Sequence, residues 1–317
     1  MTQETETAND HESQHYHYPV MLPEILELVR SLEKSNADIL DCTIGAGGHA
    51  EAILAALPGA RYTGIDADPE AIARAGARLS AYADRLTLIN SYFDEAVARL
   101  AHDPDFQPDF ILFDLGVSTH HYTESRRGFS FQNDEPLDMR LSPEAELSAA
   151  DIINRFREDE IADILYLYGE ERHSRRIARA IVEARKIAPI KTSGRLAEII
   201  AKSVPGDYRH GRIHPATRSF QALRIRVNNE LERDSTAIAG ALSLLASGGI
   251  LAVISFHSLE DRIVKQLFKQ WSTERGYTLI WKKPRSPGEE EIVRNPPSRS
   301  AKLRAIQARA PEGGSRA

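Results

Sequence analysis

Short apolar runs alternate with amphipathic stretches over the first third of the chain. Residues 37–41, 61–66, 86–89 and 110–114 read as strands, and 49–56, 70–81 and 94–100 between them carry helical periodicity. Pro69 stands where the second of these helices begins. The run Phe110-Ile111-Leu112-Phe113 suits a central parallel strand buried on both faces. Such alternation predicts a doubly wound, mostly parallel α/β sheet. It stops near Gly116. Between 148 and 204 only helical periods are left, at 149–168, 174–187 and 195–204. One long helix over 219–246 is then expected, followed by a strand at 250–255 and another within 277–282. The expected organisation is a disordered tail at 1–18, a core split between 19–121 and 216–300, an all-helical insert at 122–215, and a basic tail at 301–317.

The 317 residues contain a single cysteine, Cys42, which excludes an internal disulfide and a multi-cysteine zinc site and fits a reducing, cytoplasmic setting. No apolar run approaches the ~18 residues of a membrane span, so no membrane partner is expected. The acidic N-terminus lacks the layout of a secretory signal. A net charge of −6 argues against a nucleic-acid binder, but the distribution argues for one. Residues 1–171 hold 12 Lys/Arg against 33 Asp/Glu, whereas 172–226 hold 14 against 3. A basic block on an acidic body is the footprint of a polyanion partner, although solvated helix faces are also often charged. Arg172, Arg175, Arg176 and Arg179 fall at i, i+3, i+4 and i+7, one helical face, opposite a packing stripe of Ile177, Ala180, Ile181 and Ala184. Phosphate contact is their expected role, continued by Arg209, Arg212, His214 and Arg218.

Three signals mark a ligand site at the strand ends. The first is the glycine-rich turn Gly45-Ala46-Gly47-Gly48-His49, which lets backbone pass close to a ligand. The second is Asp66, placed to accept ribose hydroxyls. The third is Asp114-Leu115-Gly116. Both NAD and S-adenosyl-L-methionine use this layout. Asp41 before the turn, suited to a cationic methionine end, and Ala50 where a dinucleotide fingerprint has Gly, favour the latter.

The segments GAGGHA (45–50), GIDADPEAI (64–72), DLGVS (114–118), RGFSFQNDEPLDMR (127–140), HPATRSFQALRIRVNNEL (214–231), VISFHSLEDRIVK (253–265) and NPPSRSAKLRA (295–305) follow one another in a specific order. In this the chain resembles the bacterial ribosomal RNA small subunit methyltransferase H family, also called the MraW family. The resemblance implies a class I S-adenosylmethionine-dependent methyltransferase that methylates N4 of a cytidine in the decoding region of 16S rRNA. It implies 16S rRNA as partner, within the small ribosomal subunit or a late assembly intermediate, with a homodimer left open. It assigns cofactor contacts to Gly47, Gly48, His49, Asp66, Phe93 and Asp114. It carries one further cofactor contact to His121, which stands where the family usually has Gln.

On this reading Asp114 is the expected catalytic acceptor, assisted by Ser118, because N4 of cytosine needs a group to take up developing positive charge. C5 methylation would need a cysteine nucleophile, and Cys42 lies within the cofactor turn. Ser255, His257 and Ser258 lack the G-x-S-x-G elbow of a hydrolase, and His257 is expected at the substrate. Arg140 is either a substrate contact or the partner of Asp138. Phe129 and Phe131 are either stacking platforms or core. No metal is expected. The rival readings are a non-catalytic RNA-binding or assembly factor and an NAD-dependent oxidoreductase.

Overall fold

A computed structural model describes residues 18–310. Residues 1–17 of the expected disordered tail at 1–18, and the last seven residues, lie outside the described residues. The chain enters through helix α1 (Leu22–Arg30) and then alternates: β1 (Asp38–Asp41), α2 (Gly48–Ala56), β2 (Arg61–Asp66), α3 (Pro69–Arg78), β3 (Leu86–Asn90), α4 (Phe93–Leu100), β4 (Phe110–Asp114) and the short α5 (Thr119–Thr123). Six helices follow: α6 (Ala149–Arg155), α7 (Glu158–Gly169), α8 (Ser174–Ile187), α9 (Ser193–Ser203), α10 (Gly206–Arg209) and α11 (Ala216–Asn228). The chain then returns to the sheet through α12 (Glu230–Leu244), β5 (Ile250–Ser255), α13 (Ser258–Arg275), β6 (Thr278–Leu279), α14 (Glu289–Arg294) and β7 (Lys302–Gln307).

The strands form one sheet in the order β3-β2-β1-β4-β5-β7-β6. The first five are parallel, with Leu40 facing Thr63 on one side and Ile111 on the other, and β7 runs antiparallel between β5 and β6. This is the doubly wound, mostly parallel α/β sheet that the alternation predicts, closed on one side by an antiparallel pair. Its two faces carry separate apolar layers. Ile39, Tyr62, Phe110 and Leu112 pack under α1 and α2, while Ile111, Phe113, Leu251 and Val253 pack under α4, α12 and α13. Each large side chain fully buried there contributes about 1.5–3 kcal/mol, which makes this layer the main source of the sheet's stability.

A third apolar cluster belongs to the insert, and it includes Ala216, Phe220, Leu223 and Val227 of α11. The insert therefore runs past the expected limit at 215. The single helix expected over 219–246 is instead two. Asn229, with φ 52°, breaks it, and the buried Arg224–Glu230 pair forms across the break. The period expected over 149–168 also splits, because Ser148 closes a capping box on α6 and Phe156 ends that helix in extended backbone.

The stretch expected as a basic tail is corrected most. Lys302–Gln307 is an interior strand, with Leu303, Ala305 and Ile306 buried. Its cations are paired within the fold: Lys302 and Arg304 both donate to Asp261 of α13, at 3.2 and 2.7 Å.

Candidate active site

The sheet's topological switch point lies between β1 and β4, and the carboxyl ends of β1, β2 and β4 carry Asp41, Asp66 and Asp114. The glycine turn is pinned across these ends. Ile44 N–H donates to Ile65 O (2.9 Å), Gly47 N–H to Ile44 O (2.8 Å) and Gly45 N–H to Asp66 Oδ2 (3.0 Å). The Asp114 N–H donates to Thr43 Oγ1 at 2.6 Å, tying the turn to β4. Gly47 has φ +80°, and a Cβ there would lie 3.1 Å from Leu79 Cδ1. Gly47→Ala should consequently cost about 1–2 kcal/mol locally and open the turn. Calorimetric titration with S-adenosylhomocysteine should show weakened binding, and parental affinity would refute the requirement.

Asp41 is a strut rather than an open ligand for a cationic methionine end. Its Oδ1 accepts from Thr43 N–H (3.0 Å) and its Oδ2 from Tyr62 O–H (2.8 Å), both beneath the turn. Burial pushes its pKa up to about 6 against the pull of these bonds. Asp66 is raised as well, by burial first, although the Asp68 and Gly45 amides oppose it. Asp114 is raised well above the usual carboxylate range, first by burial and then by repulsion from Asp41 and Glu260. Its side chain is only 22% exposed, and its Oδ1 is buried with no hydrogen-bond partner. A desolvated, half-unpartnered carboxylate among other carboxylates is matched to a cationic ligand.

His49 lies against this group. Its Nε2 contacts Val20 O at 2.9 Å, and its Nδ1 stands 3.8 Å from Asp114 Oδ2. Gly48 opens α2, and a Cβ there would strike Pro19 Cγ at 2.7 Å. Phe93 opens α4 and meets Phe113 edge-on at 5.8 Å. His121 is buried, with both ring nitrogens engaged inside the protein. Nδ1 is 2.9 Å from Ser118 Oγ, and Nε2 is 3.1 Å from Asp68 Oδ2. The expected direct contact from His121 to the cofactor therefore has no nitrogen left to make it.

The residues expected at the substrate separate into two groups. Arg172, His214 and Arg218 line one cavity of about 260 Å³ in the insert, together with Tyr208 and Arg212. The Arg172 guanidinium lies 4.8 Å over the Tyr208 ring, and Phe131 stacks on His214 at 4.5 Å. Burial lowers the His214 pKa, so it offers a neutral ring there. Arg172 precedes α8 instead of sharing its face, because the helix starts at Ser174. Arg175 and Arg176 are exposed, and Arg179 approaches Glu158 at 3.6 Å.

Two residues named for the substrate have partners within the protein. Arg140 is turned inward as a bidentate partner of Asp138 (both bonds 2.8 Å) and also donates to Ala145 O. His257 caps α13 and faces Glu260 Oε1 at 3.1 Å, 12% exposed, so it is part of the scaffold behind Asp114. Phe129 is buried in the insert core, with its edge against His121.

Several residues at the site escaped the sequence reading: Thr43, Asp68, Arg127 and the buried set Arg224, Glu230, Asp234 and Glu260. Asp68 before Pro69 signals a helix cap, which it is, but its second oxygen serves His121. Glu230, His257 and Glu260 come within metal-ligand distance of one another, but Arg224 already supplies the cation to Glu230 through three contacts of 2.8–3.2 Å.

A family model described as the MraW methylase family matches residues 14–309. The chain belongs to the MraW methylase family. Among curated relatives, a ribosomal RNA small subunit methyltransferase H of Persephonella marina is 46% identical over 92% of this chain and 98% of its own length. One of Treponema denticola is 45% identical, covering 92% and 96%. An rRNA methylase structure from Streptococcus thermophilus aligns at 12% identity with a TM-score of 0.44, covering 90% of this chain and 95% of that one. This MraW methylase uses S-adenosyl-L-methionine. Among its described residues no helix is long and apolar enough to cross a membrane.

Proposed function

We propose that this methylase methylates N4 of a cytidine in the decoding region of 16S rRNA, presented in the small ribosomal subunit or a late assembly intermediate. The observation that carries the reading is Asp114: a desolvated carboxylate with an unpartnered oxygen at the rim of the cofactor turn. The relatives' names supply the rRNA, and the residues supply the chemistry.

The donor fits this site because Asp114, desolvated beside Asp41 and with one oxygen unpartnered, calls for positive charge. Gly47, Gly48 and His49 would hold it beside the α2 N-terminus, with Asp66 at the ribose and Phe93 at the adenine. When bound, S-adenosyl-L-methionine supplies a methyl group already activated on a sulfonium. The protein's task is to bring a weakly nucleophilic amine into line and keep water out. Asp114 faces that amine and stabilises the positive charge it develops. Cys42 supports N4 over C5 as the target atom, since its thiol is buried and its pKa is raised well above normal by burial and by Asp41. No thiolate is then on hand to add to the ring.

A base in a duplex does not reach such a rim, so the nucleotide must be unpaired or extruded. The insert cavity has the makings of the grip. Arg172, Arg212 and Arg218 suit phosphates, while Tyr208 and the Phe131–His214 stack offer flat faces for bases. Replacing those three arginines with glutamine should flatten the slope of log K against log salt by about two to three. An unchanged slope in filter-binding assays would remove the cavity from the RNA path.

The decisive experiment offers naked 16S rRNA and assembled small subunits with labelled donor and analyses the product nucleosides. N4-methylcytidine is expected. C5-methylcytidine, or binding without transfer, would overturn the reading, and binding without transfer would favour an assembly factor.

A further inference from the structure

We propose that Ser118, His121 and Asp68 form a proton relay that receives the proton released by the methylated amine, with Ser118 touching the substrate and His121 and Asp68 acting as positioning residues behind it. The proposal rests on the N4 reading above and adds the fate of its proton.

The geometry is a chain of three side chains from two strand ends. Ser118 is the N-cap of α5, just past the Asp114-Leu115-Gly116 turn, yet its hydroxyl caps nothing in the helix. It points instead to His121 Nδ1 at 2.9 Å. The opposite nitrogen, Nε2, meets Asp68 Oδ2 at 3.1 Å. Asp68 is fully buried, with its other oxygen accepting from Arg127 Nη2 (3.1 Å) and from the Glu70 N–H (3.1 Å).

For a neutral His121 the polarity of this chain follows from Asp68. Burial pushes the Asp68 pKa up, but the bonds from His121 and Arg127 outweigh it and hold the carboxyl well below its usual range. An ionised carboxylate only accepts, so Nε2 must carry the hydrogen. Neutral His121 then has a bare Nδ1, which accepts the Ser118 hydroxyl. The lone pairs of Ser118 Oγ are left facing away from the ring, ready for an N–H. A like arrangement orients the base in serine hydrolases. Here no acyl chemistry is implied, because the segment has no oxyanion-hole motif.

In the step itself, the N4 lone pair forms the new bond to the methyl carbon as the old sulfur–carbon bond breaks, its electron pair remaining on sulfur as a neutral thioether. The positive charge passes to N4, which gives one N–H proton to Ser118 Oγ. The hydroxyl proton moves to His121 Nδ1, and the resulting imidazolium pairs with Asp68. The charge that arrived on the donor leaves as a proton when His121 returns it to solvent.

The groups facing His121 are Asp66 and Asp68 from the β2–α3 turn, Glu70 and Arg74 of α3, Arg127 of the following loop, and its neighbour His120. Nearest is the Asp68 carboxylate, whose remaining charge is shared with Arg127.

Two measurements test the relay. Nitrogen-15 spectra of the ligand-free parent protein at neutral pH should show the His121 ring with hydrogen on Nε2 and a bare Nδ1. Hydrogen on Nδ1, or on both nitrogens, overturns the proposal. In single-turnover assays, His121→Gln should hold Ser118 by an amide that does not titrate. The rate constant should fall about a hundredfold, and the acid limb of the parent's pH–rate profile should vanish. A parent profile without an acid limb, or the same limb in both proteins, overturns the relay. Should the product prove not to be N4-methylcytidine, the reading of the substrate fails while the tautomer result still stands or falls alone.

Discussion

Asp114→Asn is expected to lose methyl transfer by about a hundred- to a thousandfold while folding at least as stably as the parent. The amide keeps the shape of the protonated acid and gives up only its ability to ionise. The loss falls on activity because the carboxylate's negative charge is what answers the charge developing on the amine. The gain falls on stability because the folded protein holds Asp114 in a poor environment for a charge: its Oδ1 is buried with no partner, and its pKa is raised by burial, Asp41 and Glu260. For an acid whose folded pKa exceeds the unfolded one, stability is greatest in acid and falls as pH rises from the ordinary carboxylate value toward the raised one. Asn removes that fall. Thermal unfolding of parent and variant should therefore nearly coincide near pH 4 and separate toward pH 8, with the variant higher. Near-parental turnover by Asp114→Asn would sink the catalytic assignment.

Arg224→Met should be the most damaging single change to stability, about 3–5 kcal/mol at neutral pH. That is a large part of the 5–15 kcal/mol that typically holds a domain together. Arg224 is buried at the end of α11 and donates through Nε and Nη2 to Glu230 and through Nη1 to Tyr122 (3.0 Å). Asp234 and Glu260 are buried close by, and Glu230 and Glu260 raise Asp234 further after burial has done so. Without the guanidinium, Glu230 becomes an uncompensated buried charge, which folding penalises in its ionised form. The sign is then the same as for Asp114, so the deficit should shrink as the pH is lowered toward about 4. Arg224→Met with Glu230→Leu should recover much of the loss, since the desolvation cost leaves with the charge. Denaturant titrations across pH check both. A single-variant cost under about 1 kcal/mol would mean that the pair is not what pins the α11–α12 break.

Much of this site could be read before the fold was known, and the reasons are local. Central parallel strands must be apolar on both faces, so β4 and β5 announce themselves. The carboxylates at the ends of β1, β2 and β4 follow at once, because each stands immediately after its apolar run. The glycine turn shows for the same reason, as a dense exception between strand and helix. The α8 boundaries came out as expected because a clean 3.6-residue period with Ile177 and Ile181 on one side leaves little choice.

What the sequence reading missed depended on which partners the folded backbone sets beside each side chain. The basic residues of β7 suggest a solvated tail until Asp261, on another element, neutralises them. Arg140, left open between a substrate contact and Asp138, pairs with Asp138, and His257, expected at the substrate, faces Glu260. The break at Asn229 interrupts no periodicity strongly enough to be noticed, yet it brings Arg224 and Glu230 together.

Order along the chain was enough to specify a parallel sheet, its ligand-bearing rim and the acids that line it, since a strand's burial and its terminal residue are neighbours in sequence. Folding in three dimensions decided the direction in which the pKa of those acids moves, which arginines stay available for a polyanion, and which groups each nitrogen of His121 meets. Each of those depends on how far a group is withdrawn from water and on which charge, often dozens of residues away, is set beside it.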